Sequence, residues 1–215
     1  MSNLQSATLY YIADPMCSWC WGFREAFEGV EARLHGDLCV QWVMGGLAPD
    51  STEPMDEGTR GYVQSAWHAV EAKSGAPFNH DFWKLCKPRR STWPACRAVL
   101  AAEALQPGAG RRMFAGIQRA YYTEARNPSD VETLAEIATE IGLTDADFAA
   151  RIDASEAHQA LERDLELRGA LGISGYPSVV LERDGQRSVL TRGYVSRAEF
   201  QAIASERGLL AGLPL

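Results

Sequence analysis

Strand-like sequence occurs at the two ends of this 215-residue chain, and the long stretch between them has only helical periodicity. Near the N-terminus, the apolar runs Ala7–Ala13 and Leu38–Met44 flank a segment in which apolar residues recur at steps of three and four. Leu38–Met44 is apolar on both alternating faces, which predicts a central strand covered on both sides. The chain is therefore expected to open as β-α-β, with a first helix that begins at Cys17 and continues to Gly36.

The C-terminal end returns to an alternating pattern of helix and strand. A helical segment over residues 155–171 is followed by strand-like runs over 178–181 and 188–191. Ser196 and Glu199 have the spacing of a capping box, which predicts the start of a last helix. The predicted order at this end is α-β-β-α.

The middle of the chain, residues 48–154, is rich in alanine and predicts an all-helical unit of four to six helices. Pro94, close behind Ser91, is typical of the first turn of a helix. Ser129 and Glu132 have the spacing of a second capping box and predict another helix start. The sequence therefore predicts a helical insertion between two α/β segments.

Cys17 and Cys20 lie three positions apart at the start of the first predicted helix. Two cysteines at this spacing can close a small disulfide ring, and the outer one faces unpaired N–H groups and the positive end of the helix dipole. These groups favour the thiolate of Cys17, whereas Cys20 is expected to stay a thiol until it is needed. The pattern predicts that Cys17 attacks and Cys20 resolves in thiol–disulfide exchange.

A zinc site is the alternative use of such a pair. The chain has no second Cys-x-x-Cys and no His-x-x-x-His, and its four histidines form no close-spaced motif, so redox chemistry is favoured. Cys39 and Cys96 lie in apolar or alanine-rich segments and are expected to pack as small hydrophobic residues. Cys86 lies among basic residues, which are interpreted as a solvated loop although their charge could activate a thiol.

Charge and composition restrict the partners. The chain has 28 acidic and 21 basic side chains, a net charge of −7 that disfavours nucleic acid as a partner. No window reaches about 18 uninterrupted apolar residues, and the N-terminus has no basic and apolar signal pattern, so no membrane partner and no secretory leader are predicted. Five cysteines, an odd number, do not suggest a disulfide framework. A cytoplasmic location is expected.

Three motifs give the chain a family resemblance. These are Asp14–Phe23, which reads Asp-Pro-Met-Cys-Ser-Trp-Cys-Trp-Gly-Phe, then Pro94–Leu100 and Gly175–Pro177. With the element order, they make the chain resemble the thioredoxin fold and the DsbA family, in particular its cytosolic FrnE-like members. The resemblance implies an α/β thioredoxin-like domain, discontinuous over 1–47 and 155–215, interrupted by a helical insertion domain over 48–154.

The resemblance also implies roles for residues around the cysteine pair. Pro177 is expected to follow a cis peptide bond and to lie against the pair, with Tyr176 flanking the substrate groove. Ser18 and Trp19, between the cysteines, are expected to tune the thiolate and contact substrate. Apart from the Cys17–Cys20 disulfide, no cofactor is implied. The helical insertion is expected to form one wall of the groove.

Three further expectations concern side chains near the pair. Asp14 could relay protons to Cys20, but its position before a turn favours a capping role. Trp21, Phe23 and Phe27 are interpreted as core residues. No metal ligand is predicted anywhere in the chain.

The resulting functional hypothesis is a thiol–disulfide oxidoreductase, of the protein-disulfide-isomerase kind, that acts on protein or peptide thiols and disulfides. Glutathione is a further candidate partner. Two alternatives stay open: a glutathione-dependent isomerase or transferase of the kappa or hydroxychromene-carboxylate type, and a non-catalytic peptide- or zinc-binding module. The presence of both Cys17 and Cys20 counts against the first.

Overall fold

A computed structural model describes residues 7–211, so the first six and last four residues of the predicted discontinuous domain lie outside the described residues. Its four strands are β1 (Ala7–Ala13), β2 (Leu38–Met44), β3 (Ser178–Arg183) and β4 (Gln186–Arg192). They form one sheet in the order β2-β1-β3-β4, in which β1 and β2 are parallel and the other two pairs are antiparallel. The two ends of the chain therefore build a single sheet, as the sequence predicts.

Helices occupy most of the remaining described sequence. They are α1 (Ser18–Glu31), α2 (Glu57–Ser74), α3 (Phe82–Leu85), α4 (Trp93–Leu105), α5 (Ala109–Thr123), α6 (Val131–Glu140), α7 (Phe148–Ile152), α8 (Ser155–Ala170) and α9 (Arg197–Glu206). Six of these, α2 to α7, lie between β2 and α8, which confirms the prediction of four to six helices there. The assignment of residues 48–154 to a separate domain stays a prediction.

The prediction that β2 is a central strand is wrong, because β2 lies at the edge of the sheet. In the described sheet β1 is the neighbour of β2 on one side, and no strand pairs with its other side. Apolar residues of β2 pack against helices and aromatic rings. Trp42 packs edge-to-face against Tyr11 of β1 at 4.9 Å and against Phe114 of α5 at 5.0 Å. Cys39 is exposed near the start of this edge strand, so the prediction that it packs in the core is also wrong.

Aromatic residues join α1 to the sheet and to α9. The rings of Tyr11 in β1 and Phe27 in α1 stack at 3.9 Å, and Phe200 of α9 packs against Phe23 at 5.0 Å. Trp21, Phe23 and Phe27 are all buried, which confirms their interpretation as core residues. This packing fixes the position of α1, and with it the position of the cysteine pair, relative to β1.

Of three predicted helix boundaries, one is present in the structure and two differ. The capping box of Ser196 and Glu199 is present at the start of α9. Ser129 forms no such box, because its hydroxyl donates to Asn127 Oδ1 and α6 begins after Asp130. The first helix ends at Glu31, before Gly36.

The helices of residues 7–211 are short or carry many polar residues. Among these residues, no helix combines the length and the apolar character that crossing a bilayer requires.

Candidate active site

A tight turn after β1 delivers Cys17 to the start of α1. Asp14 organises this turn: its carboxylate accepts a hydrogen bond from the Met16 N–H at 2.8 Å, and its carbonyl accepts one from the Cys17 N–H at 3.1 Å. Cys17 is the N-cap residue of α1, in an extended conformation. Asp14 therefore caps this turn, as its position predicts, and does not cap α1 itself. Cys17 lies at the positive end of the α1 dipole.

The two cysteines of the pair differ in burial. Cys17 is 7% exposed and Cys20 is 0% exposed, and both thiols are free. Burial raises the pKa of the Cys20 thiol well above its usual value, and its contact with Cys17 raises it further. Cys20 is therefore a protonated thiol at neutral pH, whereas the outer Cys17 has the position of an attacking group.

The loop before β3, the strand that pairs with β1, lies next to Cys17. The Tyr176–Pro177 peptide bond is cis, as the family resemblance implies. The Tyr176 carbonyl lies 3.9 Å from Cys17 Sγ, and Pro177 is buried. The structure therefore brings together three of the predicted site residues, Cys17, Tyr176 and Pro177.

The side chain of Tyr176 is tied to the end of β2. Its hydroxyl donates to the Gly45 carbonyl at 2.6 Å and accepts from Arg168 Nη1 at 2.6 Å, and Arg168 Nη1 also donates to Gly45. The half-buried ring lies so close to Gly45 that a Cβ there would be 2.4 Å from Tyr176 Cε1. Gly45 and Arg168, which sequence reasoning missed, hold the residue whose carbonyl faces Cys17.

The two residues between the cysteines have different surroundings. Ser18 is buried, whereas Trp19 is half-buried and packs against Tyr194 at 5.6 Å. Tyr194 follows β4, and the preceding Gly193 N–H donates to the Pro177 carbonyl at 2.7 Å. Trp19 thus lies on the same side of the molecule as the loop that faces Cys17.

Behind the pair, the Asp14 carboxylate is fully buried and connects the turn to the helical segment. Its Oδ2 accepts hydrogen bonds from the Leu47 N–H and the Thr92 hydroxyl, both at 2.7 Å, and from the Cys96 thiol at 3.5 Å. Burial raises the pKa of Asp14 although these donors oppose the rise. Burial is also the main reason why the pKa of the Cys96 thiol is raised, and the negative charge of Asp14 is the next largest cause. The predicted packing of Cys96 is confirmed.

The helical segment also covers one side of α1. Trp21 Nε1 donates to the Pro77 carbonyl at 3.0 Å, and the Trp21 ring stacks on Tyr122 at 5.5 Å. At Gly22 the two helices α1 and α2 approach so closely that a Cβ would be 2.8 Å from Val70 Cγ1. Residues on both sides of the predicted insertion boundary therefore meet beside Cys20.

Cys86 lies away from this arrangement. Its half-buried thiol donates to the Ala125 carbonyl at 3.2 Å, and burial, followed by the charge of Asp130, raises its pKa. The basic residues near Cys86 in sequence thus do not activate its thiol.

The sequence matches the thioredoxin family over residues 10–194, which is most of the chain. The chain belongs to the thioredoxin family. Its fold, with a long helical segment between β2 and α8, is similar to that of a probable DsbA oxidoreductase from Streptomyces coelicolor, with 20% identity, coverage of 97% of this chain and 93% of that one, and a TM-score of 0.70.

Several solved structures match this thioredoxin-family chain over most of its length. It is similar to a putative protein disulfide isomerase from Nitrosomonas europaea, with 29% identity, coverage of 94% of this chain and 97% of that one, and a TM-score of 0.82. It is also similar to the cytosolic disulfide reductase DsbM from Pseudomonas aeruginosa, with 31% identity, coverage of 93% and 98%, and a TM-score of 0.76. A structure of DsbM with GSH matches with 28% identity and a TM-score of 0.75.

A curated relative is the ClpXP adapter protein SpxH from Bacillus subtilis, which is 22% identical over 172 residues. The match covers 80% of this chain, and the chain spans about half of that adapter, 56% of its length. The two solved relatives near 30% identity are a putative disulfide isomerase and a disulfide reductase, and the match covers nearly all of each.

Proposed function

We propose that this protein is a dithiol reductase that cleaves disulfides in protein or peptide substrates through Cys17 and Cys20, with glutathione as the electron donor. The observation that supports the proposal most directly is the environment of the Cys17 sulfur. Its sulfur sits at the N-cap of α1, 3.9 Å from the carbonyl of Tyr176, with Cys20 fully buried behind it.

The reaction begins with attack by the Cys17 thiolate on one sulfur of a substrate disulfide. A new S–S bond forms between Cys17 and that sulfur, the substrate S–S bond breaks, and the other substrate sulfur leaves as a thiolate that takes up a proton. Cys20 then loses its proton and attacks Cys17 Sγ. The mixed disulfide breaks, the Cys17–Cys20 disulfide forms, and the second substrate thiol is released.

The loop at Tyr176 has a defined part in this scheme. An extended substrate chain bound beside Pro177 would pair with the backbone that precedes the proline, and its disulfide would lie next to Cys17. Trp19 and Tyr194 supply aromatic surface on the same side. Arg168 and Gly45 act as positioning residues, because they hold Tyr176 and do not themselves reach Cys17.

Glutathione is proposed as the donor because DsbM, a reductase that shares 31% identity with this chain, has also been solved with GSH. Two glutathione molecules regenerate the dithiol. The first attacks Cys17 Sγ, which opens the disulfide and leaves Cys20 as a thiol. The second attacks the glutathione sulfur of the mixed disulfide, which forms oxidised glutathione and releases the Cys17 thiolate. A cytosolic location, where glutathione is reduced, belongs to the same proposal.

Trapping of substrates tests the division of labour between the cysteines. A Cys20→Ser variant is expected to accumulate mixed disulfides with substrate proteins, because the attacking sulfur is present and the resolving one is absent. Cys17→Ser is expected to trap little, and Cys39→Ser, which changes an exposed cysteine outside the site, is expected to behave as the unmodified protein. Equal trapping by Cys17→Ser and Cys20→Ser would contradict the assignment.

The net direction is tested by the reduction potential of the Cys17–Cys20 couple in a glutathione redox buffer. A reductase supplied by glutathione requires a potential close to that of the cytosolic glutathione pool, high enough for glutathione to reduce the Cys17–Cys20 disulfide and low enough for the dithiol to reduce substrate disulfides; a difference of about 30 mV corresponds to 1.4 kcal/mol. A potential well below that pool would exclude glutathione as the donor. A potential well above that pool, near that of strong oxidants such as DsbA at about −120 mV, would contradict the reductase proposal.

A binding role without catalysis is the second candidate, and similarity to the SpxH adapter is the observation that favours it. Insulin reduction in the presence of glutathione separates the two. Turnover that is lost in both Cys17→Ser and Cys20→Ser supports the reductase, whereas binding of protein partners that is unaffected by either change, without turnover, supports the adapter-like role.

A further inference from the structure

Two histidines and a glutamate come together on the outer side of α2. His68 and Glu71 lie three positions apart on this helix, so their side chains share a face. His80 comes from the segment that follows α2, and its Nε2 lies 3.0 Å from Glu71 Oε2. His68 Nδ1 lies 3.9 Å from the same oxygen. One nitrogen from each histidine and one carboxylate oxygen therefore all lie within 4.8 Å of one another.

Aromatic packing holds the second histidine in place. The His80 ring lies 6.0 Å from the ring of Trp67 and 6.1 Å from that of Phe78. It also stacks on the His68 ring, with 4.2 Å between centroids and 12° between planes. Gly75, in the left-handed conformation at the end of α2, turns the chain so that His80 returns to the helix. The cluster is thus formed by the backbone path and by packing, not by sequence proximity alone.

All three side chains are accessible from solvent. The exposed fractions are 66% for the side chain of His68, 42% for Glu71 and 33% for His80. An incoming hydrated ion can reach each donor atom without opening the core.

We propose that His68, Glu71 and His80 form a binding site for Zn²⁺ or a divalent metal ion with similar ligand preferences, with water completing the coordination. Imidazole nitrogen and carboxylate oxygen are ligands that Zn²⁺ accepts, and three protein ligands with one open position make a common zinc arrangement. With metal–ligand bonds of about 2.0 to 2.1 Å, tetrahedral ligand atoms lie about 3.3 Å apart. The distances of 3.0 and 3.9 Å to Glu71 Oε2 bracket this separation. The two imidazole rings are stacked nearly parallel, so the exposed His68 ring has to rotate before both nitrogens can point at one ion.

An ion bound here would connect α2 to the segment that leads to α3. That segment contains Pro77, whose carbonyl accepts the hydrogen bond from Trp21 beside Cys20. The metal would therefore restrain the segment that covers the redox helix. This site is separate from the cysteine pair, and its existence does not depend on the proposed reductase activity.

The experiment is a Zn²⁺ titration by calorimetry of the full, untagged chain after oxidation of the Cys17–Cys20 pair, so that this dithiol cannot bind the metal. One ion per chain is expected to bind. His68→Gln and His80→Gln should each raise the Zn²⁺ dissociation constant by about 10- to 100-fold or more. His35→Gln, which changes an exposed histidine elsewhere, should leave it unchanged.

Substitution with Co²⁺ identifies the ligands and provides a second measurement. Nitrogen and oxygen ligation gives visible absorption without the intense thiolate charge-transfer band, and residues 68–80 should show the strongest paramagnetic broadening in NMR spectra. A Zn²⁺ dissociation constant above about 1 mM would overturn the proposal. So would equal affinity in the three histidine variants, or a thiolate band in the Co²⁺ spectrum.

Discussion

Replacing Gly45 by alanine is expected to displace the Tyr176 ring and, with it, the loop that faces Cys17. The added Cβ would lie 2.4 Å from Tyr176 Cε1, whereas ordinary van der Waals contacts begin at 3.4 Å. The ring must therefore move by about 1 Å. Because the Tyr176 hydroxyl donates to the Gly45 carbonyl, this movement also disturbs a partly buried hydrogen bond.

The size of the effect follows from these two contributions. Overpacking in a well-packed region costs about 1–3 kcal/mol, and a hydrogen bond contributes about 1 kcal/mol. Gly45→Ala is therefore expected to lower the free energy of unfolding by about 2–4 kcal/mol in urea titrations. Since a shift of about 1 Å in a group that orients the reactants can cost about 100-fold in rate, insulin reduction should fall by up to this factor.

Gly36→Ala is the matched control. Gly36 is exposed, a Cβ there meets nothing within 4 Å, and its φ lies outside the left-handed region. Its substitution should change stability by no more than about 0.5 kcal/mol. If Gly45→Ala unfolded at the same urea concentration as Gly36→Ala and reduced insulin at the same rate, the argument that Gly45 positions Tyr176 would be refuted.

Iodoacetamide at neutral pH should label Cys17 before the more exposed Cys39, because a helix N-terminus favours the thiolate and the thiolate is the reactive form. Mass spectrometry that finds Cys39 labelled first would contradict this. Burial raises the pKa of Asp164 to about 6, so the contribution of this carboxyl group to the free energy of unfolding should fall by about 2 kcal/mol as pH rises from 4 to 6. In Asp164→Asn, urea titrations across this range should no longer show that fall, and an unchanged pH profile would contradict the assignment. Gly22→Ala should lower stability by about 1–3 kcal/mol, because its Cβ would clash with Val70 across the α1–α2 contact, and thermal unfolding equal to that of Gly36→Ala would argue against it.

The part of the fold that sequence could predict depends on local signals. The Cys-x-x-Cys at the start of α1 and the capping box at Ser196 are patterns within a few residues, and the structure contains both elements. The edge position of β2 could not be found this way. Trp42, on one face of β2, packs against the Tyr11 ring and against Phe114 of α5, whereas Cys39 on the other face is exposed. Packing of helices and rings on an edge strand produces the same apolar run as a central position in the sheet.

The residues that organise the candidate site come from distant parts of the chain. Asp14 is predicted to cap its own turn, and it does, but its bonds to Leu47 and Thr92 span 33 and 78 positions. Arg168 reaches Gly45 across 123 positions. Such partners have no signature in a single sequence, since only the folded chain brings them together.

The pairing of β1 with β3 has a consequence for synthesis of the protein. Tyr10 pairs with Val180, 170 positions later, so the sheet joins two segments that the ribosome makes far apart in time. At about 5–20 residues per second, a ribosome needs roughly 10 to 30 s to make the intervening chain. During that interval β1 lacks one neighbour and Cys17 lacks the carbonyl of Tyr176. The nascent dithiol is therefore exposed to other thiols and disulfides before the completed sheet can shield it.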